Sequence, residues 1–501
     1  MSAPNPLDLH QLDRRSFLRR SAAAAAGGAV LAGPFQGFLN AATVFAGKPG
    51  AVDYGPLVAV PDARDGVVRL ELPEGFNYRS FHVTGSSMAS LPTTLLPGRH
   101  DGMAAFAGPR ANQYRLVRNH EINGPGAPIG PGPVYDANTQ GGCVSVVVDR
   151  HGKVASDAVS LNGTQMNCAG GPMPWGSWVS CEETVNGFDV FDDFTRGSLP
   201  ADTYIQNAQL DQRHGYIYEV PANGTSNMTP IRSAGRFAHE AAAADPGTGD
   251  IYLTEDNFAF PSGFYRYVPP TNPMSTGRID DGGTLWMLKV VGVDNADLSL
   301  GQAPGTSYPV EWVPIGAPDP DFPMVGGIPT VTNDEAIVAV GAQGRSLGAA
   351  WFSRLEGAYY DSGRVYFVST QGGATNPADS IPAGFGDGRG QVWAYDIANS
   401  TLDLVYESPA AATLDLPDNV VASPSGTLLL CEDGSGDNLL RGLTPGGQIF
   451  DFARNADPDQ IGQEFAGATF SPDGKTLFVN IQSSTGYSIA IWGPWARAGF
   501  A

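Results

Sequence analysis

The chain has 501 residues, 16% charged and 42% hydrophobic, with 64 glycines and 40 prolines spread along its length. That much turn chemistry excludes a helix bundle and favours many short strands, which build one large unit as readily as two or three domains. Formal charge is −22, from 51 acidic and 29 basic residues, which excludes nucleic acid and anionic membrane surfaces as partners.

Residues 1–46 read as a twin-arginine export signal. Arg14-Arg15-Ser16-Phe17-Leu18 precedes a weakly apolar run from Ala22 to Leu31, which is shorter than the ~20 residues of a spanning helix and is interrupted by Gly27 and Gly28. The expectation is passage through the twin-arginine translocon to a periplasmic or extracellular location, with no membrane span in the mature protein. This route carries folded proteins, so a cofactor inserted beforehand is compatible with it. Four cysteines, at 143, 168, 181 and 431, are too few for a disulfide scaffold; Cys143 with Cys168 is the pair that oxidation outside the cytoplasm would join.

From residue 47 onward one device recurs. It begins with an unanchored copy, Tyr114-Arg-Leu-Val-Arg118-Asn119-His120-Glu121, and continues in Gly176-Ser-Trp-Val-Ser-Cys181-Glu182-Glu183 and Gly249-Asp-Ile-Tyr-Leu-Thr254-Glu255-Asp256. Gly363-Arg-Val-Tyr-Phe-Val-Ser369, Gly426-Thr-Leu-Leu-Leu-Cys431-Glu432-Asp433 and Gly474-Lys-Thr-Leu-Phe-Val-Asn480 follow. Each is a short apolar strand, and five of them leave a tight turn such as Asp245-Pro-Gly-Thr-Gly249 or Ser471-Pro-Asp-Gly474, where proline at the first corner and a left-handed glycine make a hairpin. Upstream of these turns stands a small or acidic residue, in Asp101-Gly102, Glu240-Ala241, Glu356-Gly357, Asp418-Asn419 and Ala466-Gly467. Repetition at irregular spacing predicts an all-β, six-bladed β-propeller over residues 47–501, a single domain with long inter-strand insertions. The insertions at 184–235 and 257–350 lack sustained helical periodicity and are expected to be extra strands and long loops.

Strand ends in this arrangement converge on one mouth of a central channel, collecting Glu121, Glu182, Glu183, Glu240, Glu255, Asp256, Glu356, Asp418, Glu432 and Asp433. Either these are solvated loop carboxylates, or they meet and require cations, since two unit charges 4 Å apart repel by about 4 kcal/mol at an effective dielectric of 20. Carboxylates suit Ca²⁺. Cys181 has two readings, a buried apolar residue or a thiolate for a transition metal. No Gly-x-Ser-x-Gly elbow, HExxH helix, P-loop or GxGxxG fingerprint is present, which removes the common serine hydrolase, zinc protease and nucleotide-binding arrangements.

Trp178-Val-Ser-Cys181-Glu182-Glu183-Thr184, Gly235-Arg-Phe-Ala-His239-Glu240, Arg354-Leu-Glu356, Cys431-Glu432-Asp433-Gly434 and the Arg14-Arg15 leader together resemble the PhoX family of exported alkaline phosphatases. The resemblance implies a six-bladed propeller with Fe³⁺ and Ca²⁺ that hydrolyses small phosphorylated substrates. It implies Cys181 and Glu240 as iron ligands, Glu356 as a bridging ligand and Arg354 as the phosphate contact. Asn119, Glu121, Glu182, Glu432 and Asp433 take calcium or supporting positions. His239 either positions a ligand or acts as an acid, against a structural hydrogen bond beside Glu240. Where the family reads Arg-Pro-Glu-Trp this chain has Arg354-Leu355-Glu356-Gly357, and it is shorter than the typical enzyme, two departures that fit a divergent or inactive member. The alternatives are a calcium-dependent propeller hydrolase, such as a lactonase or phosphotriesterase, and a non-catalytic binding scaffold.

Overall fold

The computed structural model describes residues 55–123, 126–191, 207–498 and 500. The predicted leader at 1–46 lies outside them, and among the described residues no helix is long and apolar enough to cross a membrane. The architecture is all-β and propeller-like. Its main sheets are antiparallel, and six strands that each open a sheet or a sheet half line the middle: His100–Ala107, Asn167–Met173, His239–Ala244, Leu355–Asp361, Pro417–Ala422 and Phe465–Phe470. Each of these leading strands packs beside the next, and the last beside the first.

The sheets do not separate cleanly into equal blades. Two have four strands and one has three; the sheets begun by His239–Ala244 and Leu355–Asp361 merge into nine strands, where Ser307–Pro314 pairs with Thr401–Glu407. Two N-terminal strands, Val58–Pro61 and Val68–Leu72, extend the sheet of Pro417–Ala422 to six. Asn77–Phe81 pairs with Tyr487–Trp492, so the two ends of the described chain close the ring together.

Sequence dictates this packing through period-two alternation, with side chains of successive residues on opposite faces. An apolar layer fills each junction between neighbouring sheets: Val117, Cys143 and Leu161 meet Trp178 and Tyr218, and Val179 and Cys181 meet Ala242 and Leu253. Phe264 stacks on Phe367 at 4.3 Å in the next junction. The leading strands approach one another so closely that side chains are excluded. A Cβ on Gly171 would fall 1.6 Å from the Ala242 carbonyl oxygen, and one on Gly357 would fall 2.7 Å from the Asn419 Cα, so only glycine fits.

The insertions carry the expected strands, including Phe264–Val268, Thr284–Val290 and Ser307–Pro314, but also short helices, among them Asn333–Ile337 and Ala339–Ser346. The first opens with a capping box in which Thr332 and Glu335 satisfy each other's backbone amides, a local signal that a search for long helical periodicity passes over. All four cysteines are free and buried. Cys143 donates to Asn119 Oδ1 at 2.9 Å, and Cys168 points to the His239 carbonyl at 3.4 Å.

Candidate metal and phosphate site

The same irregularity occurs in all six leading strands. Register with the partner strand slips at His100/Met103, Asn167/Gly170, His239/Ala242, Leu355/Ala358, Pro417/Val420 and Ala466/Thr469. A bulge of this kind re-aims a side chain. In the first five strands the residue next after the strand's first is Asp101, Cys168, Glu240, Glu356 or Asp418; in the sixth it is Ala466. One hydrogen bond also repeats six times, from the amide that follows the second strand to the carbonyl that precedes the leading one. The pairs are Glu121 to Arg99, Glu183 to Met166, Asp256 to Ala238, Thr370 to Arg354, Asp433 to Leu416 and Gln482 to Glu464.

Three groups of donor atoms result, each within 4.8 Å of one another: Cys168, Glu183 and Glu240; Glu240, Glu356 and Asp418; Asp418, Asp433 and Glu464. Glu240 and Asp418 are shared, so seven side chains form one continuous string. Burial and mutual repulsion raise the proton affinity of Cys168, Glu240, Glu356, Asp418, Asp433 and Glu464. Glu240 and Glu356 are pushed well above the carboxylate range by burial and by neighbouring acids. Glu464 and Asp101 follow for the same reasons. Asp418 rises to about 8, from burial and then the Asp433 charge, and Asp433 rises to about 6, again from burial first. Burial, then Glu240 and Glu183, lifts the Cys168 thiol well above its usual value.

Two arginines border the string. Arg354, at φ 43°, immediately precedes its leading strand and grips Asp256 through Nε at 3.1 Å and Nη2 at 2.6 Å, and Glu356 through Nη2 at 3.0 Å. The half-exposed ring of Phe258 lies under the guanidinium, 5.2 Å away. Arg99 holds the same position before the first leading strand, at φ 48°, and binds the Glu121 carboxylate. Two guanidinium groups do not balance so many carboxylates. The donor set, oxygen-rich with one thiol at one end, fits several cations, the oxygen-only groups suiting calcium and the Cys168 group suiting a softer ion such as iron.

The predicted residues fall into two sets. Glu240, Glu356, Asp433, Arg354 and Glu121 stand at the mouth. Cys181, Glu182, Glu432, Asn119 and His239 do not, each for a physical reason. In the Glu-Glu and Glu-Asp doublets the first acid turns back into its sheet and the second faces the channel, as alternation requires. Glu182 accepts from His214 Nδ1 at 2.6 Å and from the amides of Gln165, Gly215 and Tyr216. Glu432 accepts from Arg441 Nε at 2.8 Å and from the amides of Asp415 and Leu439.

Asn119 is saturated. Its Nδ2 donates to the carbonyls of Cys168 and Ala169, at 2.8 and 2.7 Å, and its Oδ1 accepts from Trp178 Nε1 and Cys143, so it fixes the bulge that aims Cys168. Thr254 and Asn480, at the same place in their own second strands, hold the carbonyls of Glu356 and Asp101. Cys181 and Cys431 also occupy that place but lie in the apolar junctions. His239 Nε2 donates to the Gly235 carbonyl at 3.0 Å, and its ring stacks on Phe237 at 3.6 Å. Burial lowers its pKa to about 3, so the imidazole is neutral. Cys168, Asp101 and Glu464 have no place in the sequence-predicted site. Asn167-Cys168-Ala169 matches the small-or-acidic pattern of the other leading strands, and that was the available signal for the cysteine.

Comparisons with known proteins bear on the whole arrangement. A solved structure of Pseudomonas fluorescens PhoX in complex with vanadate, a transition-state analogue, matches over 88% of this chain and 98% of that one, with 19% identity and a TM-score of 0.60. A gluconolactonase from Xanthomonas campestris matches at 12% identity over 88% of this chain and 99% of that one, with a TM-score of 0.39. Comparison with curated protein sequences finds no match. The family model of alkaline phosphatase PhoX matches residues 52–158 and 152–485. The chain therefore belongs to the alkaline phosphatase PhoX family, as a phosphoric ester hydrolase.

Proposed function

We propose that the protein is an exported, metal-dependent phosphatase that hydrolyses small phosphate esters with Fe³⁺ and Ca²⁺ held at the mouth of a six-bladed propeller. In this reading the nine-stranded sheet is two blades joined at their outer edges. The observation that carries the proposal is the continuous string of donor groups with Arg354 bound at its middle member, Glu356. Cys168, Glu183 and Glu240 would hold iron, Cys168 taking the ligand role first given to Cys181. Glu356 would bridge, and Asp418, Asp433 and Glu464 would hold calcium, with Glu121 and Asp101 bordering the site. Export rests on the Arg14-Arg15 leader.

When bound, the metals neutralise phosphate oxygens and supply the activated water for attack on phosphorus. Arg354 offers N–H donors to the phosphate, and its fork is held in orientation by Asp256, Glu356 and the Phe258 ring. Asn119 keeps the Cys168 bulge in place, and neutral His239 carries no proton in the reaction. The thiol within a donor group weighs against a calcium-only lactonase or phosphotriesterase. Elemental analysis of purified protein, paired with p-nitrophenyl phosphate hydrolysis at alkaline pH, tests the reading: iron, calcium and turnover are expected together. Calcium without iron would transfer the chain to the calcium-only hydrolases, and a metal-loaded sample without turnover would make it a scaffold.

A further inference from the structure

The junction between the first and last sheets contains an unexpected group of cationic and neutral nitrogen atoms. Along Gln113–His120, the residues Tyr114, Leu116, Arg118 and His120 share one face. Tyr114 and Leu116 pack on Phe478 and Ala490 of the last sheet, as an inter-sheet layer should. Toward the channel end, the same face changes to Arg118 and His120, joined by His100 from the leading strand, and all three are fully buried.

Among the described residues Arg118 has no ionic partner of its own. Its Nη1 donates to Ser488 Oγ at 2.6 Å and its Nη2 to His120 Nε2 at 3.1 Å, while Nε has no partner. Accepting from Arg118 fixes His120 as the neutral tautomer whose Nδ1 donates to the Gly98 carbonyl at 2.9 Å. Val144 stands directly across from Arg118 in the neighbouring strand. Asp157, an acid whose field reaches Arg118, is committed elsewhere: it binds His82 Nε2 at 3.2 Å and the amides of Ala89 and Ser90. His100, 5.0 Å from the His120 ring, reaches toward the His82 backbone but forms no well-aligned hydrogen bond at either ring nitrogen, and His82 Nδ1 is also without a partner. Burial lowers Arg118 to about 9, so the guanidinium keeps its proton at neutral pH.

A buried cation lacking a counter-charge is strongly unfavourable, and unpaired buried donors add to the penalty. We propose that the junction is a binding site for one small monovalent inorganic anion of chloride size, held by Arg118 Nε–H and a ring N–H of His100. One charge suits a single guanidinium, and enclosure between two sheets suits a small spherical ion. The site is separate from the metal string but connected to it: Arg118 binds Ser488, Ser488 Oγ donates to Asn480 Oδ1 at 2.6 Å, and Asn480 Nδ2 donates to the Asp101 carbonyl at 2.6 Å. An anion there would therefore steady the first leading strand where the ring closes.

The test is to purify and crystallise the full protein with bromide as the sole halide and collect data at the bromine absorption edge. An anomalous peak within about 3.5 Å of Arg118 Nε and His100 is expected, lost in Arg118→Met and, should that variant not fold, in His100→Phe. Density at that place without anomalous signal means water fills the junction and overturns the proposal. A bromide peak that persists undiminished in the variants overturns the assignment of its donors.

Discussion

Cys168 and Cys181 are both buried thiols, 13 positions apart, and the structure gives them different surroundings, from which the proposed function assigns only Cys168 to iron. Cys181→Ala removes one sulfur from the apolar junction formed with Val179, Ala242 and Leu253. Leu→Ala, which deletes three heavy atoms, costs about 2–5 kcal/mol, so a single sulfur corresponds to about 1 kcal/mol. In a chain of this size that lowers Tm by about 1–2 °C, with iron content and turnover kept. Cys168→Ala deletes a donor from the group with Glu183 and Glu240. Losing even an outer partner of a ligand costs about 10–100-fold in metal affinity, so loss of the ligand itself should strip iron and activity together. Iron quantification and p-nitrophenyl phosphate kinetics on both variants decide the matter. Iron lost from Cys181→Ala and retained in Cys168→Ala would refute the bulge argument that assigns these roles.

Chelation should make stability pH-dependent. Asp433 at about 6 and Asp418 at about 8 are raised above their unfolded values, so the metal-free fold is most stable below about pH 4 as far as these groups act, and loses stability as pH rises through 6 to 8. Thermal melts of chelated protein should fall over that window, and a Tm independent of pH would contradict the charge crowding. Arg354→Lys retains a cation near Asp256 and Glu356 but loses the planar fork; kcat/KM should drop about 10–100-fold with metal content unchanged, and wild-type kinetics would remove Arg354 from phosphate binding. Glu182→Gln leaves His214, which its acid neighbours raise to about 8, without its closer carboxylate. Breaking such a buried pair costs about 3–5 kcal/mol, read as a lower denaturation midpoint with the folded fraction still carrying its metals.

Much of the ring was legible in the residues because hairpin turns and strand ends have local chemical signatures. Asp101, Glu240, Glu356, Asp418 and Ala466 are recognisable in the sequence as one recurring position, and the acidic doublets at the ends of three second strands mark the mouth. What could not be read was parity. A bulge inserts a residue and changes which face the following side chains occupy, and nothing in Cys181-Glu182-Glu183 states that the first acid turns inward to His214 and the second outward. Cys168 was overlooked because a thiol in Asn-Cys-Ala-Gly does not resemble the acids that recur elsewhere, although its place before a glycine-rich close approach is the same. Glu464 lies one residue before its strand, where Arg99 and Arg354 stand in theirs, and only the ring geometry equates the three.

That equivalence explains how the mouth can attract an anionic substrate at all. Arg99 and Arg354 precede the first and fourth leading strands, half the ring apart, and each is already engaged by carboxylates, Glu121 for one and Asp256 with Glu356 for the other. Without cations the field between them is that of the donor string, which repels a phosphate dianion. Cations bound there would neutralise the same carboxylates, leaving the two paired guanidinium groups beside a site that no longer repels the phosphate. Metal binding before substrate binding is therefore the order that electrostatics favours. A fold in which bulges force acids together at the ring's centre is suited to phosphate chemistry only as a metal-loaded protein.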